Sequence, residues 1–300
     1  MSAPDTVLGP EPVLPAPLSK WPWLVLPEPV ERAAALRIIT AICVLFDIFV
    51  LYLPNFETLY GKGGFGDPAL FDAMFSRPYW RWSLLRIMSP GWLAGIWIAA
   101  TVALLVGFRP RLAALIGWMC ALSFMNGNLF AHNGGDRLKV FLLLMLTFLP
   151  SDGRWAIRLH PAARTATGRV CIYPWPLRLM MIQLVIIYFL NGYYKILGEQ
   201  WRRGDVMIDV AGNSSWAHFS PDFMPLPMFC FRLLAWGTLV WELGFPILAF
   251  LPNTRRPTLW IGAIFHVMTL IHLEVALFPI YSLCFYVPLL PWERWYPRRT

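Results

Sequence analysis

The sequence is dominated by apolar runs long enough to cross a lipid bilayer. One of them is the stretch 183–201, QLVIIYFLNGYYKILGEQW, and about 20 apolar residues in a helix span the hydrocarbon core of a membrane. Of all residues, 58% are hydrophobic and 14% are charged, which lies outside the usual range of soluble globular domains. The sequence therefore predicts an all-α polytopic membrane protein.

The apolar runs predict a bundle of about eight transmembrane segments between residues 31 and 291. The first three are placed at 33–53, 91–108 and 112–130, and a later one at 229–251. The last apolar block, 259–290, has room for two short spans or for one span and a re-entrant segment. Residues 1–30 are predicted to form a flexible, proline-rich cytoplasmic tail, and residues 292–300 a basic C-terminal tail.

The basic residues indicate the orientation of the chain in the membrane. Positively charged loops stay in the cytoplasm, and arginines cluster in and beside the loop 151–176 (Arg154, Arg158, Arg164, Arg169 and Arg178). Counting spans from this loop places both termini inside and the segments 54–90, 132–136 and 198–229 outside, with 54–90 as a candidate lid. The net charge of +8 is spread over loops, which indicates lipid headgroups as partners and no nucleic acid.

A lysine near the end of the 183–201 run is the first candidate functional residue. Lys195 is spaced three or four residues apart from its polar neighbours in a series (Tyr188, Asn191, Lys195 and Glu199), so a continuous helix would carry these groups on one face. A lysine in this position can simply extend its ammonium to the headgroups. It can also act as a base if an aromatic shell desolvates it (Tyr188, Phe189, Tyr193 and Tyr194). The aligned polar neighbours favour the base, and Glu199 is then expected to turn towards the interface.

A second polar group interrupts two apolar runs at residues 126–136. His132, Asn133 and Asp136 surround a Gly-Gly pair, and such a segment can be an ordinary loop in which Asp136 caps the next helix. It can also line a cavity, because polar backbone at membrane depth is tolerated only there. We therefore include these three residues as candidate substrate-binding groups.

Titratable residues also lie inside other apolar runs. Asp47 is expected to face the bundle and find a hydrogen-bond donor, and a structural role is favoured over a catalytic one. His266 is a candidate catalytic or orienting residue in the last block. No HExxH motif and no Cys/His cluster occurs, so no metal is expected.

Three blocks of the sequence carry a resemblance to a known family. They are HNGGDRLKVFLLLMLTFLPSD, QLVIIYFLNGYYKILGEQWRRG and FHVMTLIHLEVALFP, and weaker similarity extends over most of residues 31–290. The chain resembles vitamin K-dependent γ-carboxylase and its bacterial relatives, the horizontally transferred transmembrane (HTTM) domain proteins. This resemblance implies an HTTM domain over residues 31–291 and a location in a bacterial inner (plasma) membrane.

The resemblance also implies a chemistry for the site. Lys195 matches the lysine proposed in the carboxylase as the base that deprotonates vitamin K hydroquinone, so a quinone or hydroquinone of that type is implied as cofactor. Asn133 matches the family pattern, whereas the histidine that follows in the family is replaced here by Gly135 or Asp136. The large lumenal region of the carboxylase has no counterpart, so propeptide-guided glutamate carboxylation is the activity least supported by the resemblance.

Two functional hypotheses follow from the sequence. In the first, the protein binds a lipid-soluble quinone or isoprenoid lipid in an outward-facing polar cavity and performs base-initiated redox or carboxylation chemistry. Lys195 and His266 would be catalytic, and the ring oxygens would be bound by the remaining candidates (His132, Asn133, Asp136, Tyr188 and Asn191). In the second, the protein is a non-enzymatic transporter of lipids or small molecules, or a membrane anchor for a soluble redox partner.

The orientation can be tested directly in cells. We expect single cysteines placed in the loop 151–176 to resist an impermeant thiol reagent in intact cells and to react after permeabilisation, because this loop is predicted to be cytoplasmic. Labelling of these positions from outside would contradict the orientation.

Overall fold

The computed structural model describes residues 28–61, 63–64, 67, 82–128, 132–157, 171–220, 222 and 225–295. This part of the chain is mostly helical, so the prediction of an all-α protein is confirmed. Its β-structure is limited to a two-residue antiparallel ladder between β1 (Glu28–Pro29) and β2 (Cys171–Ile172) and one isolated bridge.

The helices follow the chain as twelve elements in the described residues. They are α1 (Val30–Asp47, continued as a π-helix over Ile48–Tyr52), α2 (Phe56–Tyr60), α3 (Pro90–Val106), α4 (Pro110–Gly127), α5 (Gly134–Phe148), α6 (Trp175–Leu197), α7 (Glu199–Arg203), α8 (Val206–Gly212), α9 (Met228–Leu248), α10 (Arg255–His272), α11 (Phe278–Cys284) and α12 (Trp292–Trp295). Short 3₁₀ turns occur at Leu84–Arg86 and Val287–Leu289.

Three helices are long and apolar enough to cross a membrane, as judged by length and composition in the described part of the chain. They are Val30–Tyr52, Trp175–Leu197 and Met228–Leu248, while Pro90–Val106 and Phe278–Leu289 are shorter apolar helices. Large apolar side chains remain exposed on these elements, such as Phe49 on the first and Val240 on the third, which suits contact with lipid rather than water. The prediction of about eight spans stays a prediction.

The chain divides into two compact units, and each is described by itself. The first comprises residues 1–132, 139–179 and 290–300, and the second comprises residues 133–138 and 180–289. In the first unit, α3 packs on both α1 and α4. Small residues on the buried side of α4 allow close approach, as expected where helices associate in lipid (Ala113, Ala114, Gly117 and Ala121).

A tight turn at Arg109-Pro110-Arg111 joins α3 to α4 in this first unit. Gly107 ends α3 with φ +75°, and Arg109 precedes α4 with φ +43°. Pro110 then occupies the first position of α4, where its missing N–H costs no helical hydrogen bond. The turn keeps the two helices antiparallel neighbours.

A buried ion pair lies among the helices of the first unit. Lys139 of α5 is fully buried, and its Nζ donates to Asp47 Oδ2 at 2.7 Å and to Tyr52 Oη at 3.1 Å. The same ammonium lies 4.5 Å from the centroid of the Tyr52 ring and 5.2 Å from that of Trp97. The expectation that Asp47 faces the protein interior and finds a donor is therefore confirmed, and its role here is structural.

In the second unit, short helices α7 and α8 follow the end of α6 and are tied to α9. Asp205 accepts hydrogen bonds from Arg203 and from Arg232 of α9. Trp236 of α9 donates from Nε1 to the carbonyl of Arg202 at 3.1 Å. These contacts fix the beginning of the 198–228 segment, which is formed by turns and short helices.

A polar clasp joins the later part of that segment to the chain after α10. Ala217 forms a β-bridge with Leu273. The His218 ring bonds through Nδ1 to the carbonyl of Ile271 at 2.9 Å and through Nε2 to Glu274 Oε2 at 2.8 Å. The hydrogen bond to the Ile271 carbonyl and the Glu274 carboxylate raise the pKa of His218 above its usual 6.5.

Several predicted features lie wholly or partly outside the described residues. They are the N-terminal tail before residue 28, the middle of the candidate lid (68–81), the centre of the basic loop (158–170) and the C-terminal residues 296–300. The domain boundaries at residues 31 and 291 stay predictions, as does the placement of both termini in the cytoplasm.

We expect Asp47→Asn to destabilise the protein by about 3–5 kcal/mol, because it removes the charge of the carboxylate that pairs with the buried Lys139 ammonium. Thermal unfolding in detergent measures this loss. The double variant Asp47→Leu/Lys139→Met is the matched control, since it removes both charges and is expected to unfold close to the wild-type temperature. An Asp47→Asn variant as stable as the wild type would show that the pair does not stabilise the fold.

We expect the His218 clasp to be tightest at acidic pH. Both ring nitrogens face acceptors, so only the protonated imidazolium donates to both. Because the pKa is raised in the folded state, the stabilisation is complete below pH 6.5 and is lost as the pH rises through that raised value. Hydrogen–deuterium exchange in 213–219 and 271–276, corrected for intrinsic rates, should therefore accelerate above pH 6.5.

His272→Gln is the control for this experiment, because the Nδ1 atom of His272 bonds to Met268 within its own helix. This variant should keep the pH dependence, and His218→Gln should abolish it. Wild-type exchange that does not change with pH would exclude an ionisable clasp.

Candidate functional site

Lys195 forms an ion pair with a carboxylate of the neighbouring long helix in the second unit. Its Nζ donates to Glu242 Oε1 of α9 at 2.5 Å. The Lys195 side chain is 26% exposed, whereas that of Glu242 is 4% exposed. The lysine is therefore held by a buried partner rather than extended freely to the surface.

A glycine permits this contact between α6 and α9. Gly192 lies one turn before Lys195, and a Cβ atom there would be 2.9 Å from Leu243 Cδ2 and 3.2 Å from Glu242 Cβ. Any other residue would force the Leu243 side chain or the helix to shift, because real Cβ contacts are longer than this. Gly192 thus brings Glu242 within reach of Lys195, as small residues do at helix interfaces in membranes.

Helix α6 ends two residues after Lys195. The residues around Lys195 therefore differ from those that the helical periodicity predicted. It stops at Leu197, and α7 begins at Glu199 after Gly198. Glu199 is 71% exposed and pairs with Arg203 at 3.1 Å, so the expectation that it turns outward agrees with its exposure. Trp201 of α7 instead places its ring 4.8 Å from the Lys195 Nζ.

The aromatic shell predicted around Lys195 is largely wrong. Phe189, Tyr193 and Tyr194 are 49%, 45% and 67% exposed, so they point away from the interior of the second unit. Only Tyr188 of the four is buried. The contacts described for the Lys195 ammonium are instead with the Glu242 carboxylate and the ring of Trp201.

A buried hydrogen-bonded chain lies elsewhere in the same unit. The Tyr188 hydroxyl is 2.5 Å from His266 Nε2 and 2.8 Å from the Tyr286 hydroxyl. Tyr188 comes from α6, His266 from α10 and Tyr286 from the chain after α11. All three residues are buried, so the structure brings the predicted Tyr188 and His266 into direct contact.

Aromatic rings and a second glycine hold this chain in place. The Tyr188 ring packs on Trp241 and Phe245 of α9, with centroids 4.6 and 4.2 Å away. Gly262 lies one turn before His266, and a Cβ atom there would collide with the Tyr286 hydroxyl and lie 2.6 Å from Trp241 Cζ2. Gly262 therefore gives the Tyr286 hydroxyl the space it occupies.

Three buried polar atoms of this unit have no hydrogen-bond partner within the described residues. They are Glu242 Oε2, His266 Nδ1 and Trp241 Nε1. Buried polar atoms are seldom left unpaired, and each costs about 1–3 kcal/mol when it is. The carboxylate oxygen can accept a hydrogen bond, the indole N–H can donate one, and the imidazole nitrogen can do either.

The predicted substrate-binding residues Asn133 and Asp136 form a capping turn at the start of α5. Asp136 Oδ2 accepts from the Asn133 N–H at 2.9 Å, and Asn133 Oδ1 accepts from the Gly135 N–H at 2.7 Å. Gly135 packs so closely on Phe278 that a Cβ atom would lie 2.8 Å from its backbone nitrogen. The helix-capping role is thus observed, and the substrate-binding role stays a prediction.

The remaining candidates are Asn191 and His132. No described contact joins either of them to the Lys195–Glu242 pair or to the Tyr188–His266 hydrogen bond. Asn191 is exposed on α6, and His132 is partly buried and belongs to the first unit. A single pocket lined by all the predicted residues stays a prediction. Within the described residues, no group of three His, Cys, Asp or Glu side chains is placed to hold a metal ion.

Sequence reasoning assigned no function to Glu242, Tyr286, Gly192 or Gly262. Glu242 could have been found, because a carboxylate within an apolar segment needs a partner and Lys195 was available. Tyr286 gave no signal, since one tyrosine in an apolar block resembles an ordinary core residue. The two glycines likewise have no distinguishing neighbours in the sequence.

Comparison with known proteins identifies the family. The sequence model of the HTTM domain family matches residues 27–295 of this chain. The uncharacterized protein YitO of Bacillus subtilis (strain 168) is 24% identical over 176 residues, which cover 56% of this chain and 56% of that protein. The aligned region thus spans about half of the relative. No solved structure matches the chain.

The extent of the HTTM match and the three long apolar helices support the same conclusion. The match covers nearly the whole chain, including both units, and the three helices are suited to crossing a bilayer. The chain therefore belongs to the HTTM domain family and is a membrane protein of the γ-carboxylase-like kind.

Proposed function

We propose that this protein binds a quinone-like or isoprenoid lipid and performs base-initiated redox or carboxylation chemistry in an outward-facing intramembrane site, with Lys195 as the base. The observation that carries this proposal is the 2.5 Å contact between Lys195 Nζ and Glu242 Oε1, together with the unpartnered Glu242 Oε2. A lysine near the end of a membrane helix that only extends to the headgroups does not need a buried carboxylate.

Glu242 gives Lys195 a way to become a neutral amine. Lys195 Nζ donates to Glu242 Oε1 at 2.5 Å, so a proton can pass directly between them, and a buried pair of opposite charges is costly to keep ionised in an apolar environment. When the proton moves to Glu242, the Lys195 amine is free to accept another from an acidic hydroxyl. Arginine cannot take this role, since its guanidinium is not deprotonated in proteins.

The unpartnered polar atoms of the second unit have the hydrogen-bonding chemistry to bind a ring that carries oxygen atoms. A hydroquinone of the vitamin K type would supply the acidic hydroxyl and the electrons. Glu242 Oε2 can accept from a hydroxyl, and His266 Nδ1 and Trp241 Nε1 can contact ring oxygens. Oxygen or a soluble redox partner would serve as the electron acceptor.

The proposed function requires the membrane arrangement that the sequence predicts. About eight segments would cross a bacterial plasma membrane with both termini in the cytoplasm. Lys195 lies in the last turn of α6, and the count of spans directs this end outward. The lipid substrate would then enter from the outer leaflet into an outward-facing cavity.

A second candidate function is a non-enzymatic lipid or small-molecule transporter, or an anchor for a redox partner. The observation in its favour is that Glu242 already neutralises Lys195, so the lysine has a structural explanation without chemistry. The two functions differ in whether a bound lipid is turned over.

We expect wild-type protein purified from its native membrane to carry an isoprenoid quinone, detected by mass spectrometry of extracted lipids, and to turn over its reduced form. Lys195→Arg should keep the bound quinone and the unfolding temperature but lose turnover by about 100-fold or more, because it keeps the charge and cannot act as a base. Glu242→Gln should also lower turnover, since it removes the proton acceptor for Lys195.

Glu199→Gln is the matched control, because it changes an exposed carboxylate that pairs with Arg203 and does not contact Lys195. Its turnover should equal that of the wild type. Full turnover by Lys195→Arg would exclude the base, bound quinone without turnover in the wild type would favour transport or anchoring, and a lipid extract free of quinone would exclude the quinone itself.

A further inference from the structure

We propose that Tyr286 and Tyr188 act as positioning residues that fix His266 in the tautomer with its proton on Nδ1, so that His266 presents a hydrogen-bond donor to a ligand. The inference rests on the proposed function only for the identity of that ligand. It concerns a chain of three buried groups, Tyr286, Tyr188 and His266, with Tyr188 in the middle.

The direction of the hydrogen bonds follows from the number of protons. Each phenol carries one O–H proton, and a neutral imidazole carries one N–H proton. In the first arrangement, Tyr286 donates to Tyr188 and Tyr188 donates to His266 Nε2, which leaves the imidazole proton on Nδ1. In the second, His266 Nε2–H donates to Tyr188 and Tyr188 donates to Tyr286, which leaves Nδ1 as a bare acceptor.

The first arrangement satisfies more of the buried groups. It leaves only the Nδ1–H of His266 without a partner. The second leaves two groups unpaired, namely Nδ1 and the Tyr286 O–H, which has no acceptor other than Tyr188 among the contacts described for this unit. Because an unpaired buried polar group is costly, the first arrangement is favoured.

A charged His266 is a third arrangement, and burial disfavours it. The residue is 1% exposed, and in the described part of the chain no carboxylate forms an ion pair with it. A buried charge without a partner is far more costly than a buried neutral imidazole. His266 is therefore neutral, with Nε2 as acceptor and Nδ1–H as donor.

Packing keeps both hydroxyls in the positions that this arrangement needs. Tyr188 is held between Trp241 and Phe245, and Tyr286 stacks on Phe245 with ring centroids 5.8 Å apart. The absence of a side chain at Gly262 leaves room for the Tyr286 hydroxyl. The tautomer is thus set by the fold before any ligand binds, as is typical of preorganised sites.

This assignment gives His266 a different role from that of Lys195. An N–H donor cannot accept a proton at the same atom, so His266 orients an acceptor oxygen of the ligand, such as a carbonyl or a ring hydroxyl oxygen. Lys195 remains the base. The acceptor oxygen bound by Nδ1–H would stay fixed while another group of the ligand reacts.

The tautomer can be measured without any ligand. We expect ¹⁵N spectra of protein labelled at histidine to show a pyrrole-type Nδ1 and a pyridine-type Nε2 for His266, assigned by the loss of its signals in His266→Asn. In Tyr188→Phe and in Gly262→Ala the single tautomer should be replaced by a mixture. A wild-type His266 protonated at Nε2, or at both nitrogens, would overturn the inference.

A matched pair of variants tests the donor itself, with menadione as the probe. The amide nitrogen of Asn can reach the position of Nδ1, whereas that of Gln reaches the position of Nε2. We expect His266→Asn to bind menadione within about threefold of the wild type and His266→Gln to bind about tenfold more weakly, as the loss of one hydrogen bond predicts.

The two measurements separate this inference from the proposed function. Equal weakening by Asn and Gln would show that the Nδ1 donor is not used and would contradict the inference. If wild-type protein does not bind menadione at all, the quinone-like ligand is wrong, and the ¹⁵N spectra still decide the tautomer.

Discussion

Charged side chains inside apolar helices have to be neutralised within the protein, and this constraint governs both units of the chain. Asp47 pairs with Lys139 in the first unit, and Glu242 pairs with Lys195 in the second. The bilayer core offers no water to solvate such groups, and removing one partner of a buried pair is more damaging than removing both. The positions of the paired helices are therefore linked to the charges they carry.

The Asp47–Lys139 and Glu242–Lys195 pairs lie in different surroundings. Lys139 is fully buried, bonded to a carboxylate and a phenol and covered by aromatic rings, so its charge is stabilised from several sides. The Lys195 side chain is partly exposed and contacts one carboxylate and one tryptophan ring. The first arrangement is suited to holding helices together, and the second is less enclosed.

Glycines give the second unit its polar geometry. Gly192 lets α9 approach α6 closely enough for Glu242 to meet Lys195, and Gly262 leaves the volume that the Tyr286 hydroxyl fills. Close helix approach through small residues is a general means of association in membranes. Here the same approach also aligns hydrogen-bonding groups that are far apart in sequence.

The sequence predicted the helices well because hydrophobic periodicity is a local property. The predicted spans agree closely with the observed helices: 33–53 corresponds to Val30–Tyr52, 112–130 to Pro110–Gly127, and 229–251 to Met228–Leu248. Sequence reasoning also identified Lys195, Tyr188 and His266 as polar groups in apolar surroundings. The prediction that one polar helix face continues to Glu199 was wrong, because α6 ends at Leu197 and a new helix begins at Glu199 after Gly198.

By itself, the sequence determined the class of the protein, the positions of its apolar helices and the residues whose burial needs an explanation, since length, hydropathy and charge act along the chain. Only the tertiary structure decided the partners. Glu242 is 47 residues from Lys195 and Tyr286 is 98 from Tyr188, and which side chains meet across such distances depends on the rotation and close packing of helices, which local patterns do not encode.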